Sequence, residues 1–231
     1  NLLGGIFGNI EMARAKAPHD SESFRHIDKA LAVFERAKDL TNQLLTFSKG
    51  GAPVKKTSYL APIAEESAGF LLRGSSIEAE FIFNAPDLTV DIDTGQINQV
   101  INNIVINAMH VMPGGGKIIF TLDSVVLGGD NPFNLKSGEY ARLSVSDTGS
   151  GIPKDIIGKI FDPYFSTKEK GSGLGLATSL AVIKRHGGDI SVKSKVGHGS
   201  VFDIYLPVSE KTAETESEND GGGIAYGLKF L

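Results

Sequence analysis

The sequence predicts an α+β chain. An N-terminal antiparallel helical hairpin, half of a dimeric four-helix bundle, precedes a two-layer α/β sandwich. Three observations carry this prediction. Apolar residues recur every three or four positions up to about Ser48. Beyond that point short β-like runs are interleaved with helical ones. Between the two regimes lies the breaker-rich stretch Lys49-Gly-Gly-Ala-Pro53. These changes set the expected boundaries: hairpin 1–50, hinge 51–54, sandwich domain 55–208 and an acidic, Gly-ended tail 209–231.

In the hairpin, Leu3, Ile6, Phe7, Ile10, Ala13 and Ala17 follow one helical face, and Pro18 ends the helix in a polar turn. A second helix is expected over about 23–48, where Ile27, Ala30, Phe34, Ala37, Thr41 and Leu44 keep a heptad-like rhythm. Leu31, Leu40, Leu45 and Phe47 widen the stripe. Two helices cannot bury so wide a face alone, and a homodimeric four-helix bundle solves that. In the second domain, strands are expected at 78–83, 117–127, 140–146, 189–195 and 200–206, and helices at 62–73, 94–112 and 174–186. This mixture without strict alternation suits one mixed sheet beneath one helical layer. After Pro207, SEKTAETESENDGGG has too little apolar content to fold.

Composition excludes several function classes. Hydrophobic residues make up 41% of 231 residues, enough for a buried core. The net charge of −4 gives no basic footprint for nucleic acid. With no cysteine there are no disulfides and no thiolate chemistry, which fits a reducing, cytoplasmic compartment. No run approaches the ~20 apolar residues of a membrane span, so no membrane contact is expected. The sequence opens inside a helix without Met and without a signal-peptide pattern, and reads as a piece of a longer chain.

Four segments carry candidate chemistry. Asn103 and Asn107 lie four apart on one helical face, and a neutral amide oxygen is a hard ligand suited to Mg2+; asparagines near a helix end also serve as caps. Asp147-Thr-Gly149-Ser-Gly151 follows a strand, where a carboxylate can receive an exocyclic amine and glycines let backbone approach a flat base; a plain turn is the alternative. Gly171-Ser172-Gly173-Leu174-Gly175-Leu176 opens a helix, and free N–H groups there suit phosphate, although no Walker or Rossmann pattern is present. Gly197-His-Gly199-Ser200 sits between the last two strands and, taken alone, reads first as a hairpin turn.

Taken together and in order, these segments resemble the N, G1, F, G2 and G3 boxes of the Bergerat-fold (GHKL) ATPases: histidine kinases, gyrase B, the heat-shock chaperone ATPase and MutL. FDPYFSTK followed by KGSGLGLA, and DTGQINQVINNIVINAMHVMPGGG before them, look like a sensor histidine kinase over roughly residues 55–207. The resemblance implies ATP and Mg2+ as cofactors. It implies Asn107 as the metal ligand, Asn103 near the phosphates and Asp147 on the adenine amino group, with Gly149 and Gly151 shaping its pocket. Phe161 to Lys168 would front the ATP lid. The glycines from Gly171 to Gly175 would hold the phosphates, and Ser200 stands where relatives usually carry Thr. His110 is a candidate nucleotide contact, and Lys168 and Lys170 are candidate positive charges. The implied activity is phosphoryl transfer from ATP to a histidine and then to an aspartate of a response-regulator receiver domain.

The chain departs from that family in one respect. None of its five histidines has the acceptor context; by the family spacing the phosphoacceptor would lie four residues before Asn1. The hairpin alone is therefore not expected to accept the phosphoryl group. Three other readings compete. A clamp-type ATPase needs a catalytic glutamate one turn before the asparagine pair, but Gln96 and Gln99 stand there. A non-catalytic dimeric signalling module is the second. A serine kinase of the anti-sigma-factor type is the third, although such proteins lack a preceding hairpin. His19, His26, His110, His186 and His198 all read as structural or surface residues, His186 as a partly cationic side chain at a helix end.

Overall fold

The computed structural model describes residues 2–34, 52–168 and 171–211. Helix α1 spans Leu2–Lys16, and a second helix, α2, covers 22–34. Pro18 lies in the turn between them. Ser21 ends that turn: its hydroxyl accepts the Phe24 N–H at 3.0 Å, an N-cap bond that starts α2. Phe7 meets Phe34 at a ring separation of 5.6 Å, and Arg14 bonds Asp28 at 2.8 Å. The pairing runs in opposite senses along the two helices, which makes the hairpin antiparallel. Ile6, Met12 and Val33 remain exposed on it. The stripe positions from Ala37 to Phe47, the candidate charge Lys170 and the acidic tail beyond Lys211 lie outside the described residues.

The second region is built on a five-stranded sheet. Its strands are β2 (Ile77–Phe83), β4 (Gly116–Leu127), β5 (Gly138–Asp147), β6 (Asp189–Ser194) and β7 (Ser200–Pro207), and their spatial order is β2-β4-β5-β7-β6. Only β2 and β4 run parallel. Alternation puts Ile118, Phe120 and Leu122 of β4 on one face, with Leu143 and Val145 of β5. Register then sets Leu143 opposite Ile204 and Val145 opposite Phe202. Helices α3 (Leu60–Leu72), α4 (Thr94–His110) and α5 (Gly175–Arg185) cover this face. Helix α4 supplies Ile97, Val100, Ile101, Ile104, Val105 and Ala108 in three- and four-residue steps, all buried. Each fully buried side chain of this size contributes about 1.5–3 kcal/mol.

One feature differs from the expectation of a single sheet. Lys56–Tyr59 (β1) and Thr89–Ile92 (β3) form a separate antiparallel pair. Lys-Thr-Ser-Tyr is polar and only four residues long, so neither length nor alternation betrays a strand. Its stability comes from Val90 and Ile92 across the ladder, exposed by 0% and 1%. The helix expected from Pro62 begins at Leu60; proline fits in a first turn because its missing N–H has no intrahelical partner there.

Two ties align α4 and α5 beneath the site. Asp93 caps α4, its carboxylate accepting the Gln96 N–H at 3.1 Å. The Asp93 N–H donates to His186 Nε2 at 3.0 Å, at the end of α5, and Nδ1 of the same ring lies 2.8 Å from the Val182 carbonyl. Nε2 accepts, so Nδ1 carries the proton and donates, and the ring is neutral. Burial holds His186 below the usual histidine range. The sequence-based expectation of a partly cationic side chain is corrected accordingly: the ring is 3% exposed and both its nitrogens serve the fold.

Candidate nucleotide site

A cleft of about 820 Å3 opens between α4, the end of β5, the loop after it and the start of α5. Of the residues singled out from sequence, Asn103, Asn107, His110, Asp147, Gly151, Lys168, Gly171, Ser172, Gly173, Gly175, Leu176 and Ser200 line it. Three lie just behind the wall. Gly149 donates its N–H to Asp147 Oδ1 at 2.8 Å. Leu174 is 1% exposed at the N-terminal boundary of α5. Phe161 packs against the core, and of the two loop phenylalanines it is Phe165, four residues on, that reaches the cleft.

The floor is set by Asp147, the last residue of β5. It is 6% exposed and is the one carboxylate among the described residues lining the cleft. Burial pushes its carboxyl above the usual range; the Gly149 N–H and the N–H and hydroxyl of Ser200 pull the other way without cancelling it. Neighbouring backbone comes unusually close. A Cβ on Gly199, at φ +84°, would stand 1.9 Å from the Asp147 carbonyl oxygen, so only glycine lets the β6–β7 turn press against the strand. Around the carboxylate lie Val111, Ile152, Ile156, Ile160 and Phe202, an apolar wall that the sequence motifs do not reveal. They come from the end of α4, the segment after β5 and strand β7, and only the closed fold assembles them.

The other end of the cleft is polar and lacks acid. Asn103 donates from its amide nitrogen to the Gly175 carbonyl at 3.0 Å and to Ser179 Oγ at 3.1 Å, which fastens α4 to the first turn of α5. Asn107, one turn on, accepts Lys168 Nζ at 2.9 Å, and the same ammonium lies 3.1 Å from His110 Nδ1. Desolvation lowers the pKa of Lys168; desolvation first, then the Lys168 charge, lowers that of His110. Gly173, at φ +65°, receives the Tyr164 N–H on its carbonyl at 3.0 Å; a Cβ there would lie 2.4 Å from the Tyr164 carbonyl carbon. This contact folds the loop back to deliver α5 with its N-terminal end toward the cleft.

The described residues contain no group of three or more His, Cys, Asp or Glu side chains able to hold a metal by themselves. A hard cation at Asn107 would therefore need ligands from elsewhere, such as phosphate oxygens and water.

Residues 92–210, more than half the chain, match the family described as histidine kinase-, DNA gyrase B-, and HSP90-like ATPase. The chain belongs to this family. Within it, the sensor kinase CckA of Brucella abortus is 33% identical over 223 residues, covering 93% of this chain and 24% of that relative. The catalytic domain of histidine kinase ThkA in a nucleotide-free form is 30% identical with a TM-score of 0.55, over 66% of this chain and 95% of that one. Histidine kinase ThkA in complex with the response regulator protein TrrA is 25% identical, with a TM-score of 0.63, over 90% of this chain and 58% of that one. The chain spans about a quarter to a half of the length of the first curated relatives it matches. No helix among the described residues is long and apolar enough to cross a membrane.

Proposed function

We propose that this chain is the catalytic core of a sensor histidine kinase and that the cleft binds ATP with Mg2+. The buried carboxylate of Asp147 is the observation that carries the reading. An acid 6% exposed, hemmed by glycine backbone and facing an apolar wall, suits a flat base that offers an amine. Asp147 accepts that exocyclic amine, and Ile152 and Phe202 flank the base. Gly149 and Ser200 bond to Asp147 and keep it in place, while Gly151 lines the pocket beside it. At the polar end, the N–H groups of the first turn of α5, from Gly175, face the phosphates, where the helix dipole favours negative charge. Asn107 gives an amide oxygen to Mg2+, which supplies charge neutralisation at the phosphates when bound. Asn103 fixes the start of α5, and Lys168 and His110 lie beside the phosphate end. Positioning and preorganised N–H donors supply most of what such a site does in phosphoryl transfer.

In the longer protein, the phosphoryl group passes to a histidine preceding this sequence and then to an aspartate of a response-regulator receiver domain. Residues 1–50 pair with a second copy as a four-helix bundle, 51–54 act as the hinge, 55–208 form the ATP-binding domain, and 209–231 are a linker; the protein works in the cytoplasm. The acid-free stretch from Gly95 to Ala108 disfavours the hydrolytic clamp reading, because no carboxylate on α4 stands ready to activate water. The test is a version extended to include the upstream histidine, incubated with labelled ATP. Acid-labile, base-stable label on that histidine is expected. Steady phosphate release without labelled protein would favour the ATPase alternative.

A further inference from the structure

Lys168 is held from both ends. Its backbone N–H donates to Ser166 Oγ at 3.1 Å, and its carbonyl accepts the Gly171 N–H at 3.1 Å. Its ammonium reaches across the cleft to α4, 2.9 Å from Asn107 Oδ1 and 3.1 Å from His110 Nδ1. For His110 to accept there, its proton must sit on Nε2. No carboxylate takes part. An ammonium cradled by a neutral amide oxygen and a neutral imidazole nitrogen occupies a cation seat, and its oxygen is the one assigned above to Mg2+. Two cations cannot share Oδ1 at these distances, since their repulsion is strong wherever water is partly excluded.

We propose that Lys168 is a resident cation that holds the metal seat at Asn107 until Mg2+ enters the nucleotide-filled cleft, and that it then moves onto the phosphates. This rests on the nucleotide reading of the cleft. Metal and lysine then compete for one oxygen, and nucleotide binding is coupled to the position of the 162–168 loop.

Calorimetric titration of Mg2+ into protein saturated with ADP tests the exchange, with wild type beside Lys168→Met. Removing the competitor lowers the half-saturating Mg2+ concentration by roughly three- to tenfold, the range expected of one charge-assisted hydrogen bond at a partly solvated site. An unchanged or raised midpoint, with ADP still bound, overturns this proposal alone. Failure of both proteins to bind ADP overturns the nucleotide reading and this proposal with it. A second readout needs no nucleotide: acetylation of Lys168 by acetic anhydride in metal-free protein, followed by peptide mass spectrometry. Asn107→Ala accelerates it by a similar factor, and an equal rate in both proteins shows that the ammonium is not held.

Discussion

Asp147→Asn separates the site from the fold. The substitution keeps shape and the acceptor for the Gly149 N–H, but it presents an amide NH2 where the reading needs an acceptor for the base amine. Losing a hydrogen bond to a charged partner is worth about 1.5–3 kcal/mol, which at about 1.4 kcal/mol per decade raises the ADP dissociation constant roughly 10- to 150-fold. Stability moves the other way. Burial dominates the Asp147 shift and raises its folded pKa above the unfolded value. Such a group contributes most stability below its unfolded pKa and loses that contribution as pH rises through its folded pKa. At pH 7 the ionised carboxylate opposes folding, so the variant is at least as stable as wild type there, and any gain disappears in acid. Calorimetry with ADP and thermal melts at pH 7 and pH 4 read the two effects. An affinity loss under threefold in a fully folded variant refutes the assignment of the base to Asp147. A melting temperature that falls at pH 7 refutes the account of its burial.

Other predictions follow from the geometry. His186→Ala leaves the partly buried Asp93 N–H without its acceptor and costs about 1 kcal/mol, read as a lower denaturation midpoint. In wild type, the depressed folded pKa of His186 contributes stability that is present above the ordinary histidine pKa near 6.5 and is lost as pH falls below it; the variant shows a flatter profile between pH 7.5 and 5. Gly173→Ala forces a side chain into the left-handed region against Tyr164, a strain of about 1–2 kcal/mol. It lowers ADP affinity while the melting temperature shifts by only a few degrees, because the loop carries little of the core. Asn103→Ala frees the first turn of α5, and hydrogen exchange of the amides at Gly175–Ser179 speeds up while those of α4 do not change.

Much of this was legible in the sequence because it is local. The period of Ile97, Val100, Ile101, Ile104, Val105 and Ala108 declares α4, and that helix necessarily projects Asn103, Asn107 and His110 along another face at four- and three-residue steps. Glycine spacing announces the close backbone approaches at Gly173 and Gly199. What stayed hidden is tertiary. Strand β1 is too short and polar to carry a period, and its ladder partners lie 30 to 36 residues away. Phe161 and Phe165 are equivalent in sequence, and only the path of the loop decides which one meets the cleft. His186 looked like a charged helix end, until the fold brought the Asp93 N–H to its ring. The Asn107–His110–Lys168 cluster joins positions about sixty residues apart, which no local pattern records.

The most direct test is calorimetric titration of Mg-ATP into the wild-type chain. The account predicts saturable binding at one site per chain in the micromolar range, with adenine preferred over guanine nucleotide because Asp147 accepts an amine that guanine does not carry at that position. No binding by folded protein, or binding without regard to the base, would contradict it.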